Sequence, residues 1–301
     1  MKRLLLKWAV LLTALGFMVG LLYDQWNRIR ALDLEVRPGM MAAASLALIV
    51  LFFLDAFGWH LILRALGHEP EASQSIRVWM VSSLTRYLPG GVWGYLSRAA
   101  LCAEQGIPLT SSGLGLYLET LLLMSSSFAV GFPAILFATG LPLSPLTAAA
   151  IWIGVSLLMH PRVIALTRRL PGRSGKLLDS VALPSARVML CLYFYYLVFW
   201  ILFGAIFVCF VLALYPLPPQ AWLAVGASLS MSFLVGFIAV IVPSGIGVRE
   251  SVLYALLLPF IPHAASLLVS VTSRFWVMVG EGISVALAVT LLRARSREVQ
   301  K

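Results

Sequence analysis

Apolar runs of twenty residues and more recur along this chain, at residues 4–23, 40–63, 111–139, 188–214, 221–242 and 263–292. A helix of about 20 apolar residues spans a bilayer core, and no soluble core needs so many of that length. Only 11% of the 301 residues are charged and 61% are hydrophobic, with mean hydropathy +0.96. A soluble domain of this size lacks the interior to hide that surface, and disorder needs the opposite composition. The net charge of +10 does not point to nucleic acid, because basic residues on an apolar chain fit loops beside anionic lipid. The runs show no strand-like alternation, which argues against a β-barrel. Cys102, Cys191 and Cys209 form no disulfide framework and read as small apolar residues.

The expected fold is all-α: a polytopic transmembrane bundle of about six full spans plus two re-entrant, broken hairpins. Residues 1–301 form one integral membrane domain. The first run has Lys2 and Arg3 before it but no small-residue cleavage site after it, so it is expected to stay as a span. A shorter run at 145–160 supplies the fourth span. The broken segments are 76–103 and 245–260. Orientation follows the basic residues. Residues 161–187 hold Arg162, Arg168, Arg169, Arg173, Lys176 and Arg187 against Asp179, and form a cytoplasmic loop. Both termini are placed in the cytoplasm of a bacterial inner membrane. The first broken segment enters from the cytoplasm, and residues 221–260 form the hairpin from outside. Residues 221–242 are also long enough for a full crossing. On this scheme seventeen of the 22 basic residues are cytoplasmic.

The broken segments resemble each other. One reads Tyr87-Leu88-Pro89-Gly90-Gly91-Val92-Trp93-Gly94, with Arg98 soon after. The other reads Ile241-Val242-Pro243-Ser244-Gly245-Ile246-Gly247-Val248-Arg249-Glu250. Pro89 precedes Glu119 by 30 residues and Pro243 precedes Arg274 by 31. Residues 40–139 and 188–292 therefore read as inverted copies. Paired, Gly/Pro-interrupted segments in matching positions point to a transporter's binding site. Backbone freed at a break finds partners only inside protein or beside water. Helices starting near Val92 and Val248 would aim N–H groups at each break, which favours an anion. The competing reading is that Pro and Gly merely kink ordinary spans.

Charged residues at membrane depth cost roughly 2.5–3.5 kcal/mol each on the insertion scale. The candidates are Asp55, Glu119, Arg249, Glu250, Arg274 and Glu281. Functionally, Arg249 and Arg274 would grip a lipid phosphate, with Glu119, Glu250 or Glu281 as counter-charges or a proton site. Structurally, the same residues would be ion pairs that lock helices, and Asp55 leans to that role. Arg274 and Glu281 share one helical face. Arg86 and Arg98 flank the first break and would attract anionic headgroups or snorkel at the interface. Tyr193, Phe194, Tyr195, Tyr196, Phe199 and Trp200 read as an interfacial aromatic belt. No histidine cluster has metal-ligand spacing, Gly245-Ile246-Gly247 lacks a dinucleotide-binding context, and Ser244 lacks a nucleophile elbow. No cofactor, metal or enzyme activity is expected.

Leu88-Pro89-Gly90-Gly91-Val92-Trp93 with Arg98 resembles the first signature of the membrane domain of lysylphosphatidylglycerol synthases. Val242-Pro243-Ser244-Gly245-Ile246-Gly247-Val248-Arg249-Glu250 resembles the second, more specific one. The resemblance covers roughly residues 44–292 and implies a stand-alone member of that family. In the full synthases this domain is linked to lipid flipping, and a separate domain transfers lysine. The expectation here is translocation without aminoacyl transfer, since little sequence follows residue 292. The expected function is movement of an anionic phospholipid or lipid-linked substrate between leaflets. The alternatives are an ion-coupled transporter of a small soluble anion, a non-transporting scaffold for a separate lipid-modifying enzyme, and a membrane-embedded transferase. Membrane lipids are the expected partners.

Overall fold

A computed structural model of the chain describes residues 23, 36–87, 92–140, 144–157, 183–239, 245 and 247–298. The expected first span, most of the basic loop at 161–187, and the break residues Pro89, Gly90, Gly91, Pro243 and Ser244 lie outside the described residues. Nine α-helices and no strand occur among the described residues: α1 (Pro38–Ala65), α2 (Ala72–Leu84), α3 (Trp93–Glu104), α4 (Leu109–Thr139), α5 (Pro145–Leu157), α6 (Ala186–Leu212), α7 (Trp222–Ile238), α8 (Val248–Leu257) and α9 (His263–Glu298).

Local sequence sets their limits. Pro38 opens α1, where its missing N–H costs nothing. Gly67, with φ +85°, lets the chain turn after α1. Ser185 caps α6, its hydroxyl accepting from the Val188 N–H at 3.4 Å. Five segments are long and apolar enough to cross a bilayer: Pro38–Ala65, Leu109–Phe132, Ala186–Leu212, Pro219–Ile238 and His263–Leu291.

Of the expected fourth span, residues 145–157 form a helix, and residues 158–160 lie outside the described residues. The two broken segments differ. Helices α2 and α3 have 13 and 12 residues, and neither crosses alone. In the second, Pro219–Ile238 runs for 20 residues before the break, while α8 has only 10.

Contacts fix the relative directions. The Arg37 N–H donates to the Ala213 carbonyl at 2.9 Å, and Gly58 lies against Tyr195 and Tyr196. The start of α1 thus meets the end of α6, and the two run antiparallel. Trp276 donates to Ser45 at 3.0 Å while Gly280 meets Leu48, so α9 runs parallel to α1. Gly115 packs on Trp59 and Leu66, and α4 opposes α1.

The packing also repeats. Helix α1 rests on α6. Helix α2 packs on α9 as α7 packs on α4. Helix α3 packs on α4 as α8 packs on α9, and α1 touches α9 as α6 touches α4.

The interior is apolar but also rich in serine, and much of the outer surface is apolar as well. Among the described residues fifteen serines are buried, while Leu46, Phe194, Ile201, Leu223, Phe275 and Val279 are more than half exposed. That distribution suits lipid as the solvent. Many buried serines donate to carbonyls one turn back, as Ser125 does to Leu121, Ser228 to Ala224 and Ser270 to Ser266. Small residues let backbones touch: a Cβ on Gly204 would stand 3.1 Å from the Gly226 carbonyl oxygen. The expected aromatic belt is largely core instead. Tyr193, Tyr196, Phe199 and Trp200 are buried, and Phe194 alone of the six is mostly exposed. These rings pack edge-on against one another and toward neighbouring helices, where their area is removed from lipid by helix contact.

Candidate functional site

The charged residues collect at two places, one beside each break. At the first, Arg98 rises from α3 into the protein and is buried. Its Nη1 donates to Glu119 Oε2 at 2.5 Å, and its Nε donates to Ser82 Oγ at 3.0 Å. The guanidinium stands between Trp59 and Trp79, 5.1 and 5.2 Å from the ring centroids. Trp79 Nε1–H donates to Glu119 Oε1 at 2.8 Å, so both carboxylate oxygens are engaged. Arg86, just after α2, pairs with Glu281 on α9 and donates from Nε to the Ser83 carbonyl at 3.1 Å. This second pair ties the segment after α2 to α9. Asp55 on α1 is buried close by.

At the second break, Gly247 has φ +85° and ends the turn. Its N–H donates to Glu250 Oε2 at 2.6 Å, which caps the start of α8 with a carboxylate from the chain itself. Glu250 Oε1 faces Arg274 Nε across 3.5 Å. Arg249 lays its guanidinium over the Phe233 ring, 4.0 Å from the centroid. A small cleft, about the size of one water, opens here, and Arg249, Glu250, Arg274, Ser232, Ser270 and Ser273 supply its polar lining. Leu229, Leu253 and Val277 complete it.

Two guanidiniums, one carboxylate and three hydroxyls suit an anion with several acceptor oxygens. Guanidinium forks match phosphate geometry, while the three serine hydroxyls donate to carbonyls of their own helices and would have to turn to reach an anion. Among the described residues no group of three histidine, cysteine or acidic side chains could hold a metal.

The sequence candidates are thus divided. Arg249, Glu250 and Arg274 meet in the cleft. Glu119 and Arg98 meet beside Trp79, and Glu281 meets Arg86. Arg274 and Glu281 share a helix but serve different clusters. Gly245 and Gly247 sit at the second break with positive φ. The short helices begin at Trp93 and Val248, directly after the two breaks. Ser232, Ser270, Ser273 and Phe233 were not singled out from the sequence. A signal existed: Ser270, Ser273, Arg274 and Val277 follow the spacing of one helical face.

Gly236 on α7 makes room for Arg249. A Cβ there would fall 1.9 Å from Arg249 Cγ and 2.7 Å from Cδ. The obstacle is the root of the Arg249 side chain, so Gly236→Ala is expected to turn Arg249 out of its place or push α8 away, at an overpacking cost of about 1–3 kcal/mol. Unfolding in detergent checks the stability. Any function of Arg249 should fall together with it in this variant.

The family model described as the lysylphosphatidylglycerol synthase TM region matches residues 4–280. No curated protein and no solved structure matches the chain.

Proposed function

The chain belongs to the family of the lysylphosphatidylglycerol synthase TM region, and from that premise we propose that it moves an anionic phospholipid or lipid-linked anion between membrane leaflets. The observation that carries the reading is the cleft at the second break. It joins two guanidiniums from α8 and α9 to three serines from α7 and α9, inside a bundle whose outer surface is apolar. A headgroup phosphate would enter the cleft, and its acyl or prenyl chains would remain in the surrounding lipid. Glu250 and Arg274 would separate slightly as the phosphate takes up the arginine's donors.

The paired helix contacts support reading 40–139 and 188–292 as inverted repeats. Exposure would then alternate by movement of one half against the other. The Arg98–Glu119 and Glu250–Arg274 pairs extend the likeness, since in each a short helix after the break pairs with the following long helix. The charges are exchanged between the two halves, so the cleft is the one suited to an anion. The membrane is taken to be a bacterial inner membrane with cytoplasmic termini. No aminoacyl transfer is assigned to this chain.

Reconstitution in liposomes with labelled phospholipids of different headgroups tests the proposal. Native protein should exchange an anionic lipid faster than empty liposomes do. Arg249→Ala should slow the exchange roughly ten- to hundredfold, because a hydrogen bond to a charged group contributes roughly 1.5–3 kcal/mol. Exchange no faster than in empty liposomes for every headgroup would refute the proposal. Uptake of inorganic phosphate without lipid exchange would assign the cleft to a soluble anion.

A further inference from the structure

The cluster beside the first break holds three carboxylates and two guanidiniums. Arg98 pairs with Glu119, and Arg86 with Glu281. The third carboxylate, Asp55, is nine-tenths buried in the middle of α1, and its Oδ1 has no hydrogen-bond partner among the described residues. The groups that act on it electrostatically come from every helix around it. They are Arg86 after α2, Arg98 on α3, Glu119 on α4 and Glu281 on α9. Helix α6 presents the phenols of Tyr195 and Tyr196. His60, on the same helix, is engaged with Ser75 at 3.2 Å.

The phenols do not neutralise Asp55. Tyr195 donates its hydroxyl to the Leu54 carbonyl. The Tyr196 hydroxyl is buried without a hydrogen-bond partner among the described residues. It reaches α1 because residue 58 is glycine: a Cβ there would stand 2.7 Å from that oxygen.

We propose that Asp55 is a proton-binding site: its carboxylate takes one proton from water, forming a carboxyl O–H, and returns that proton when the cluster rearranges. The charge count carries this. With all three carboxylates ionised, the cluster holds one net negative charge in a membrane interior. One proton brings it to zero. Glu119 and Glu281 each have a guanidinium in direct contact, so the proton falls to Asp55. When Asp55 loses it, a third anion competes for Arg86 and Arg98. Because Arg86–Glu281 joins the segment after α2 to α9, that competition alters how the two halves hold together. A role in driving lipid movement rests on the flippase reading. The proton site itself does not.

Infrared difference spectroscopy of the full chain in nanodiscs, between acidic and alkaline buffer, tests it. The chain has four aspartates, Asp24, Asp33, Asp55 and Asp179. Native protein should show a protonated-carboxyl carbonyl band that titrates and shifts when aspartate is ¹³C-labelled. Asp55→Asn should lose the band, and Asp55→Glu should keep one at a shifted frequency that no longer responds to aspartate labelling. A native protein with no titrating aspartate band, or a band that persists in Asp55→Asn, overturns the proposal. With both buffers kept above about pH 6, where exposed aspartates stay ionised, labelling of native protein together with Asp55→Glu decides the matter even where Asp55→Asn does not fold. In liposomes, an imposed pH gradient should alter lipid exchange by native protein and leave Asp55→Asn exchange unchanged. Native protein that exchanges no lipid would refute the flippase reading, and the infrared band would still decide the proton site.

Discussion

Arg98→Met is expected to destabilise the protein by about 3–5 kcal/mol, the usual cost of removing one member of a buried ion pair. The cost comes mainly from what remains. Glu119 is 5% exposed and would keep only the Trp79 N–H as a partner. Methionine fills much of the arginine's volume, so a cavity contributes little, and the contacts with the Trp59 and Trp79 rings lose their charge. The double variant Arg98→Met/Glu119→Gln should recover most of the loss. The glutamine carbonyl still accepts from Trp79, and no charge is left unpaired. Unfolding of each variant in mild detergent gives the comparison. A single variant within about 1 kcal/mol of native would mean that the pair does not hold α3 against α4. A double variant as unstable as the single one would mean that the Ser82 bond and ring contacts, not the charge, carry the effect.

Gly245→Ala should cost about 2–5 kcal/mol. Two causes add. The residue has φ +64°, where a side chain costs about 1–2 kcal/mol. A Cβ would also stand 2.5 Å from the Gly236 carbonyl oxygen and 2.9 Å from its carbonyl carbon. That obstacle is backbone in the last turns of α7, so one segment must move, at an overpacking cost of about 1–3 kcal/mol. Gly236→Ala is the informative contrast, since Gly236 has no left-handed φ and its Cβ would meet side-chain atoms of Arg249 and not backbone, so it should cost less. Equal unfolding midpoints for the two variants would show that the break does not press on α7 as tightly as the structure has it.

These variants mark how far the sequence could be read. The breaks were visible as Pro-Gly pairs with matched surroundings, and the short helices do start directly after them. The charges worth attention were visible because so few occur inside apolar runs. Their partners were not. Arg274 and Glu281 lie seven residues apart on one face and invite pairing. Seven residues are about 10.5 Å of helix rise, however, and Arg274 turns to Glu250 on α8 while Glu281 turns to Arg86 just after α2. Arg98 read as a headgroup attractor beside a break. Its actual environment, between two tryptophans and against Glu119, depends on α1, α2 and α4 converging from positions up to 60 residues away. The aromatic run on α6 was legible as aromatic but not as buried, because interface and core both favour those rings.

The sequence by itself determined the solvent and the class of fold. A chain with apolar runs this long and charges this sparse must satisfy its backbone internally, and helices do so within single segments. It also located the two breaks, because glycine and proline act on the backbone locally. Only the tertiary structure decided which charges meet. It gathered Arg249, Glu250 and Arg274 around one cleft, confined Glu119 and Glu281 to ion pairs, and left Asp55 among them without a guanidinium of its own. The physical reason is range: hydrogen bonds and ion pairs act over a few ångströms, so their partners are set by which helices pack together, not by spacing along any one of them.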